Sequence, residues 1–233
     1  MLLDALPDGW TPPLRLPGDE VHHVYVDPGH GEPRNSGNRD CFCVAEQDYT
    51  LSLATDVARR LEATGRFRVR IGRTGEALPA YVERIADAEA WGADALVSLH
   101  SDVRAPDTYT RSPEGCSRST GATGFAVLWS DEGGLADARG RLAASVADAM
   151  IAGGFAPYDG AAYVGLYDPT AAGAFVDRHE PRKRIRMLRR PPMPSVIVET
   201  HQAWDVAEAT RWRSPATREA FAEALAVGLA AAL

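Results

Sequence analysis

Two histidines and two glutamates in this sequence have side chains suited to metal binding and proton transfer: His30, Glu46, His100 and Glu199. Two imidazoles and one carboxylate can hold a Zn²⁺ ion and leave a fourth coordination position for water. A further carboxylate that does not bind the metal can act as a general base. Because these residues are far apart in the chain, the chemistry depends on whether the fold brings them together.

His30 follows a predicted strand and a tight turn. Val24–Val26 are β-formers, and Asp27-Pro28-Gly29 ends the strand because proline lacks an N–H and glycine accepts positive φ. His30 is therefore expected at the carboxyl end of a strand, where ligands bind in open α/β sheets. Taken alone, the histidine fits a polar turn residue better than it fits a ligand.

The other three residues also lie at the ends of predicted elements. Short apolar runs predict buried strands at Ala95–Leu99, before His100, and at Ser195–Val198, before Glu199. Glu46 begins a helix predicted over Ala45–Thr64 from its apolar stripe. Glu46 alone fits an ordinary acidic residue of a first helical turn equally well. If the strands are parallel and adjacent, their carboxyl ends meet in one crevice and the side chains converge.

The remaining pattern alternates strands and helices. Further strands are predicted at Phe67–Ile71 and Phe125–Trp129, with a short one at Ile185–Leu188. Further helices are predicted at Leu78–Trp91, Leu135–Ile151 and Thr217–Leu233. Residues 153–183 are predicted to be irregular. The order predicts a single α/β domain with a mostly parallel or mixed central sheet and helices on both faces. Residues 1–20 are rich in proline and are predicted to form an extended arm, so the catalytic domain is expected over 21–233.

Composition excludes some classes of function. The chain has 233 residues and a formal net charge of −7, which argues against general nucleic-acid binding. No apolar stretch is long enough to span a bilayer, and residues 1–20 lack the basic and apolar segments of a signal peptide. We expect a monomer. The three cysteines allow one bridge from Cys41 or Cys43 to Cys116, or three free thiols.

Four segments in order resemble a known family: Asp27-Pro28-Gly29-His30-Gly31, Glu46, Ser98-Leu99-His100-Ser101 and Ile197-Val198-Glu199. They are similar to the signature segments of the zinc N-acetylmuramoyl-L-alanine amidases of the amidase type 3 family. The resemblance covers about residues 22 to 233. It implies that His30, Glu46 and His100 bind Zn²⁺ and that Glu199 is the catalytic carboxylate.

The resemblance also implies a substrate and a location. The family cleaves the amide between N-acetylmuramic acid and L-alanine in peptidoglycan or its muropeptides, which places the protein in the periplasm, the cell wall or the extracellular space. This sequence departs from the family at Glu199-Thr200-His201, at Asp102 in place of the usual Asn, and at Cys41 and Cys43.

Several alternatives stay open. The altered segment after Glu199 is compatible with a zinc amidohydrolase that acts on another acylated amino acid or peptide, and an inactive peptidoglycan-binding module is a third hypothesis. His201 is either a contact to the oxyanion or substrate, or a bystander. The basic run over 178–190 is either a solvated loop or a partner for acidic groups of the substrate.

Overall fold

A computed structural model describes residues 14–75, 78–104 and 109–233 of the chain. Its strands are β1 (His22–Pro28), β2 (Phe67–Ile71), β3 (Ala95–Asp102), β4 (Thr110–Arg111), β5 (Ser117–Arg118), β6 (Ala126–Trp129), β7 (Tyr167–Ala171), β8 (Ala174–Asp177) and β9 (Ser195–Gln202). Its α-helices are α1 (Glu46–Ala63), α2 (Tyr81–Trp91), α3 (Ala136–Ala152), α4 (Arg186–Arg189), α5 (Val206–Trp212) and α6 (Pro215–Ala232). Turns of 3₁₀-helix lie at Gly133–Leu135 and Ala161–Tyr163.

One mixed sheet of seven strands in the order β2-β1-β3-β9-β6-β8-β7 forms the centre of the protein. The first four strands of that order run parallel to one another, whereas β6 and β8 run antiparallel to β9. Helices α1, α3 and α6 cover one face and α2 and α4 cover the other. The prediction of an α/β domain with a mixed sheet between helical layers is confirmed.

The central strands alternate their apolar side chains between two cores. Val24, Val26 and Val97 lie in the core under α1, α3 and α6, whereas Tyr25 and Leu96 lie in the core under α2 and α4. All five are fully buried, and each large apolar side chain removed from water contributes about 1.5–3 kcal/mol to folding. Because the sheet is packed on both faces, its strand ends hold their side chains at fixed positions.

The parallel strands put their carboxyl ends at one edge of the sheet. Pro28 of β1 pairs with Leu99 of β3, and His100 of β3 pairs with Glu199 of β9. The last two residues lie within their strands, since β3 and β9 extend beyond the predicted ends at Leu99 and Val198. Side chains of paired residues point to the same face, so His100 and Glu199 stand side by side.

Some predicted elements are wrong. The segment 153–183, predicted to be irregular, contains β7 and β8; β7 is a largely exposed edge strand that includes Pro169, so it lacks the alternating apolar pattern of a buried strand. The predicted strand Ile185–Leu188 is instead the short helix α4, which buries Met187 and Leu188. The sequence reasoning also missed α5, whose first turn is capped by the Asp205 side chain accepting from the Glu208 backbone N–H.

The cysteines form one bridge, which is one of the two outcomes expected. Cys43 is joined to Cys116, and Cys41 is a buried free thiol. Burial, followed by the charge of Asp40, raises the pKa of the Cys41 thiol to about 11, so this thiol is un-ionised at neutral pH. The bridge ties the segment before Glu46 to the β4–β5 ribbon.

The predicted arm over 1–20 falls partly on residues 1–13, which lie outside the described residues, and residues 14–20 contain no helix or strand. The division into arm and catalytic domain stays a prediction. Within the described ranges, no helix has the length and apolar character needed to cross a bilayer.

Candidate metal centre and adjacent carboxylate

Three of the predicted site residues meet at the carboxyl edge of the sheet. One nitrogen from each of His30 and His100 and a carboxylate oxygen of Glu46 all lie within 4.8 Å of one another. His30 Nε2 is 3.1 Å from Glu46 Oε2, and His100 Nδ1 is 3.2 Å from Glu46 Oε1. Two imidazole nitrogens facing one carboxylate are a donor set suited to a divalent metal, so the residues fit a metal site.

Backbone geometry presents His30 to this cluster. The residue has φ of 61°, in the left-handed region that non-glycine residues seldom adopt, and its N–H donates to the Tyr81 hydroxyl at 2.9 Å. A Cβ on Gly29 would overlap the ring of His100, and one on Gly37 would overlap Glu46. Glycine is therefore favoured at both positions by the close approach of the side chains of the cluster.

Each imidazole has a partner on the nitrogen that faces away from the cluster. His30 Nδ1 lies 2.8 Å from the amide oxygen of Asn35, which can only accept a hydrogen bond. His100 Nε2 lies 3.2 Å from the Ser98 hydroxyl, which itself donates to Asp27 Oδ2 at 2.5 Å. These contacts hold a proton on the outer nitrogen of each ring, so the inner nitrogen, which otherwise donates to Glu46, is the one that can offer a lone pair to an ion.

The Glu46 carboxylate is buried and held by three donors. Asn38 donates to Oε2 through its backbone N–H at 3.0 Å and its side-chain amide at 2.8 Å, and the Ser101 N–H donates to Oε1 at 2.9 Å. Burial acts to raise the pKa of Glu46, but hydrogen bonds and charge from His100 and His30 outweigh it and hold the pKa well below its usual value. The carboxylate is therefore ionised and oriented.

Two buried arginines that the sequence reasoning did not assign brace the turn that carries His30. Arg84 donates from Nη1 to Asp27 Oδ1 at 2.8 Å and from Nη2 to the His30 carbonyl at 2.7 Å. Arg73 donates from Nε to the Pro28 and His30 carbonyls and from Nη2 to the Gln47 carbonyl. Arg84 could have been found from the sequence, because it stands on the apolar stripe of α2 beside Ile85 and Ala88.

Glu199 lies beside the cluster in a different environment. The residue is partly exposed, yet its Oε2 is shielded from water and has no hydrogen-bond partner among the described residues. It lines a cavity of about 290 Å³ together with Asp102, Tyr163 and Tyr167. Burial, followed by the charges of Asp102 and Glu46, raises its pKa well above the usual value. A carboxylate without fixed donors and with a raised pKa is suited to proton transfer.

His201 does not share a face with Glu199, as it would two residues further along an uninterrupted strand. The β3–β9 pairing shifts register between His100 and Asp102, and the extra residue on β9 turns His201 toward α1 and α5. Its ring stacks on Trp212 at 5.6 Å and meets the edge of Tyr49 at 5.2 Å. Burial lowers its pKa to about 3, so the ring is neutral, and its contact with oxyanion or substrate stays a prediction.

The basic run lies away from this edge. Because β8 is antiparallel to β9, the segment that follows β8 begins at the opposite end of the sheet. Three of its arginines pair with acidic residues: Arg178 with Asp131 and Asp168, Arg184 with Asp131 and Glu132, and Arg189 with Glu132. These ion pairs favour the solvated-loop interpretation over a role at the site.

The fold is an α/β domain whose strand-end donor set fits a metal ion, and sequence comparison identifies the family. A family model described as N-acetylmuramoyl-L-alanine amidase, the amidase type 3 family, matches residues 24–231. The chain therefore belongs to the N-acetylmuramoyl-L-alanine amidase family. The N-acetylmuramoyl-L-alanine amidase AmiC of Escherichia coli is 24% identical over 230 residues, which is 89% of this chain and 52% of AmiC. The chain thus spans about half the length of the curated relative it matches.

Solved structures confirm the fold. Ami1 from Mycobacterium smegmatis, an N-acetylmuramyl-L-alanine amidase, is 24% identical and superposes with a TM-score of 0.69 over 92% of this chain and 97% of that one. The apo form of Ami1 from Mycobacterium abscessus gives a TM-score of 0.71 at 19% identity, over 91% of this chain and 99% of that one. At these identities the similarity establishes the architecture.

Proposed function

We propose that this protein is a zinc-dependent N-acetylmuramoyl-L-alanine amidase that hydrolyses the amide between N-acetylmuramic acid and L-alanine in peptidoglycan. The observation that carries the proposal is the convergence of His30, Glu46 and His100 beside Glu199 in a chain of this family. In this proposal the first three residues hold Zn²⁺ and Glu199 is the catalytic residue. The protein would act in the periplasm, the cell wall or the extracellular space, with which the Cys43–Cys116 bridge is compatible.

The residues have separate roles in the reaction. Bound Zn²⁺ supplies Lewis acidity, which lowers the pKa of water to about 7 and polarises the scissile carbonyl. Glu199 accepts a proton from the attacking water and returns it to the nitrogen of L-alanine as the carbon–nitrogen bond breaks. The lactyl group of N-acetylmuramic acid then carries a free carboxylate, and the stem peptide leaves with a free amine.

The hydrogen bonds around the cluster prepare it for this role. Asn35 and Ser98 accept from the outer nitrogens of His30 and His100, so an ion needs only to displace the proton on each inner nitrogen and neither ring has to change tautomer. Arg84 neutralises the Asp27 carboxylate, to which Ser98 donates. The two buried arginines fix the backbone of the His30 turn, so the donor atoms keep their spacing.

The direct test combines metal analysis with mass spectrometry of digested sacculi. The zinc-loaded protein should release stem peptides that begin with a free L-alanine amine and leave glycan strands that keep their lactyl carboxylates. Pelleting with sacculi without release of peptides would instead support a binding module. Hydrolysis of simple N-acyl amino acids with intact sacculi would support the other amidohydrolase hypothesis.

A further inference from the structure

The disulfide bridge is attached to the same loop that ends at the Glu46 carboxylate. Residues 38–46 form a closed loop, because the Glu46 N–H donates to the Asn38 carbonyl at 2.9 Å and the Asn38 N–H donates back to Glu46 Oε2 at 3.0 Å. Asn38 and Glu46 are therefore the base of the loop, and Cys43 lies near its tip. The bridge joins this tip to Cys116.

The base of the loop positions Glu46 relative to the histidines of the cluster. The side-chain amide of Asn38 donates to Glu46 Oε2 at 2.8 Å and also to the Ser101 carbonyl at 2.6 Å. Ser101 follows His100 directly on β3, so Asn38 connects the carboxylate to the strand that carries one of the imidazoles. A displacement of Asn38 would therefore change the spacing of the donor atoms around an ion.

The tip of the loop has a backbone conformation that cysteine seldom adopts. Cys43 has φ of 69°, in the left-handed region that costs a non-glycine residue free energy. The turn depends on this conformation, since the Cys43 N–H donates to the Asp40 carbonyl and the Asp40 N–H donates to the Val44 carbonyl, both at 3.0 Å. Such a conformation persists where the surrounding structure enforces it, and the covalent bond to Cys116 supplies that constraint.

The bridge is open to reduction at one of its two sulfur-bearing residues. Cys43 is partly exposed, whereas Cys116 is buried. A thiolate of a dithiol reductant attacks Cys43 Sγ, the sulfur–sulfur bond breaks, and Cys116 leaves as a thiolate that takes up a proton. The second thiol of the reductant then displaces Cys43 as a free thiol, so the reductant becomes a disulfide and the bridge gains two electrons and two protons.

We propose that the Cys43–Cys116 bridge positions Glu46 for the metal, so that cleavage of the bridge by a dithiol reductant lowers the zinc affinity of the site. The inference rests on the proposed zinc-dependent function and adds control of metal loading by the redox state. Cys43 and Cys116 are positioning residues, because they act through Asn38 and do not contact the ion. The bridge persists in an oxidising compartment, such as the location proposed above.

The experiment measures the zinc dissociation constant by competition with a chromophoric chelator. Metal-free protein is compared before and after treatment with dithiothreitol, which is removed under argon before zinc is added. Alkylation should count one thiol before treatment and three after it. Reduction should raise the dissociation constant about tenfold, within the usual range for the loss of an orienting partner. Cys41→Ala is the matched control, because it lies in the same loop, keeps the bridge and should respond to the dithiol as wild type does.

Two double variants separate positioning of Glu46 from a general loss of stability. Cys43→Ser/Cys116→Ala lacks the bridge and should bind zinc about tenfold more weakly than oxidised wild type, with or without the dithiol. Cys43→Gly/Cys116→Ala also lacks the bridge, but glycine adopts positive φ without strain, so its dissociation constant should return to within about threefold of wild type. A merely structural role of the bridge would weaken zinc binding equally in both variants. Circular dichroism confirms that the variants are folded.

The outcomes distinguish this inference from the proposed function. Equal zinc affinity of oxidised and reduced wild type would overturn the inference and leave the amidase proposal standing. A folded glycine variant that binds zinc as weakly as the serine variant would overturn it as well. If neither double variant folds, the comparison of oxidised and reduced wild type decides alone. If oxidised wild type binds no zinc, the proposed metal site itself fails.

Discussion

The metal cluster and the adjacent Glu199 carboxylate occupy the same edge of the sheet but are built in different ways. Both oxygens of Glu46 accept hydrogen bonds from Asn38 or Ser101, and the outer nitrogens of both histidines have partners. Glu199 has a shielded oxygen with no partner among the described residues. The pKa of Glu46 is held low and that of Glu199 is raised.

This difference matches two chemical tasks. An ion-binding carboxylate works best when it is ionised and fixed, since any reorganisation on binding lowers the affinity for the metal. A proton-transfer carboxylate works best when its two protonation states are close in free energy, which burial without donors achieves. The two glutamates of one site thus lie in opposite environments. Substitution of Glu46 should weaken metal binding, whereas substitution of Glu199 should impair proton transfer.

The largest expected effect comes from removing both histidines of the cluster. The wild type should carry close to one Zn²⁺ per chain, and His30→Ala/His100→Ala should carry none and show no turnover on sacculi, because one carboxylate alone cannot retain the ion. Metal content by inductively coupled plasma mass spectrometry, with circular dichroism to confirm folding, gives the result. Full zinc retention in the folded double variant would mean that the metal lies elsewhere.

A smaller effect is expected when only an orienting hydrogen bond is lost. Ser98→Ala removes the acceptor for His100 Nε2 and should weaken zinc affinity by about 10–100-fold, the usual effect of losing such a partner. Competition with a chromophoric chelator measures this affinity. The matched control is Ser195→Ala, since this buried serine on the neighbouring strand donates to the Leu188 carbonyl away from the cluster. A similar loss of zinc affinity in both variants would point to general destabilisation instead of ring orientation.

The smallest effect concerns folding stability. Because the pKa of Glu199 is raised on folding, the metal-free native state binds its proton more tightly than the unfolded state does. The stability that this proton contributes is fully present below the unfolded value of about 4.5 and is lost as pH rises through the folded pKa. Glu199→Gln does not titrate, so metal-free Glu199→Gln should be more stable than metal-free wild type by about 1–3 kcal/mol at pH 7.5, with the gap closing toward pH 4.

Urea unfolding of the metal-free proteins across pH provides this measurement. Glu208→Gln is the informative comparison, because the pKa of Glu208 is also raised by burial but its oxygens accept from the Gly124 and Gln202 N–H groups. Losing those charge-assisted bonds should destabilise the protein, in contrast to Glu199→Gln. A Glu199→Gln variant that is less stable than wild type at pH 7.5 would show that the carboxylate has favourable partners.

The sequence was sufficient to predict the cluster because its residues sit on strongly patterned elements. His30, His100 and Glu199 belong to or follow apolar strands whose burial fixes their direction, and Glu46 begins a clear amphipathic helix. The rule that carboxyl ends of parallel strands meet predicts the convergence of His30, His100 and Glu199, whereas Glu46 begins a helix and was assigned to the cluster through the resemblance to the amidase family. These predictions depend on local pattern, and the structure brings the four residues together.

Features that depend on pairing between distant segments could not be predicted from the sequence. The bulge that turns His201 away from Glu199 arises from the β3–β9 register, which has no local signal. The edge strand β7 has neither apolar alternation nor protection from solvent, so it resembles a loop. The roles of Arg73 and Arg84 depend on carbonyl groups of a turn that is remote in sequence, and only the fold brings Asp102 and Arg104 next to Glu199 around one cavity.

The measurement that tests the central claim most directly is turnover on sacculi by Glu199→Gln and Glu46→Gln across a zinc titration. Glu199→Gln should bind zinc normally and lose about 10²–10⁴-fold in turnover at every zinc concentration, since the general base is missing and the metal site is intact. Glu46→Gln should regain part of its activity as zinc is added, because its defect is a weakened ion-binding site. Turnover of Glu199→Gln near the wild-type rate, or its rescue by zinc, would contradict the separation of base and ligand on which the account depends.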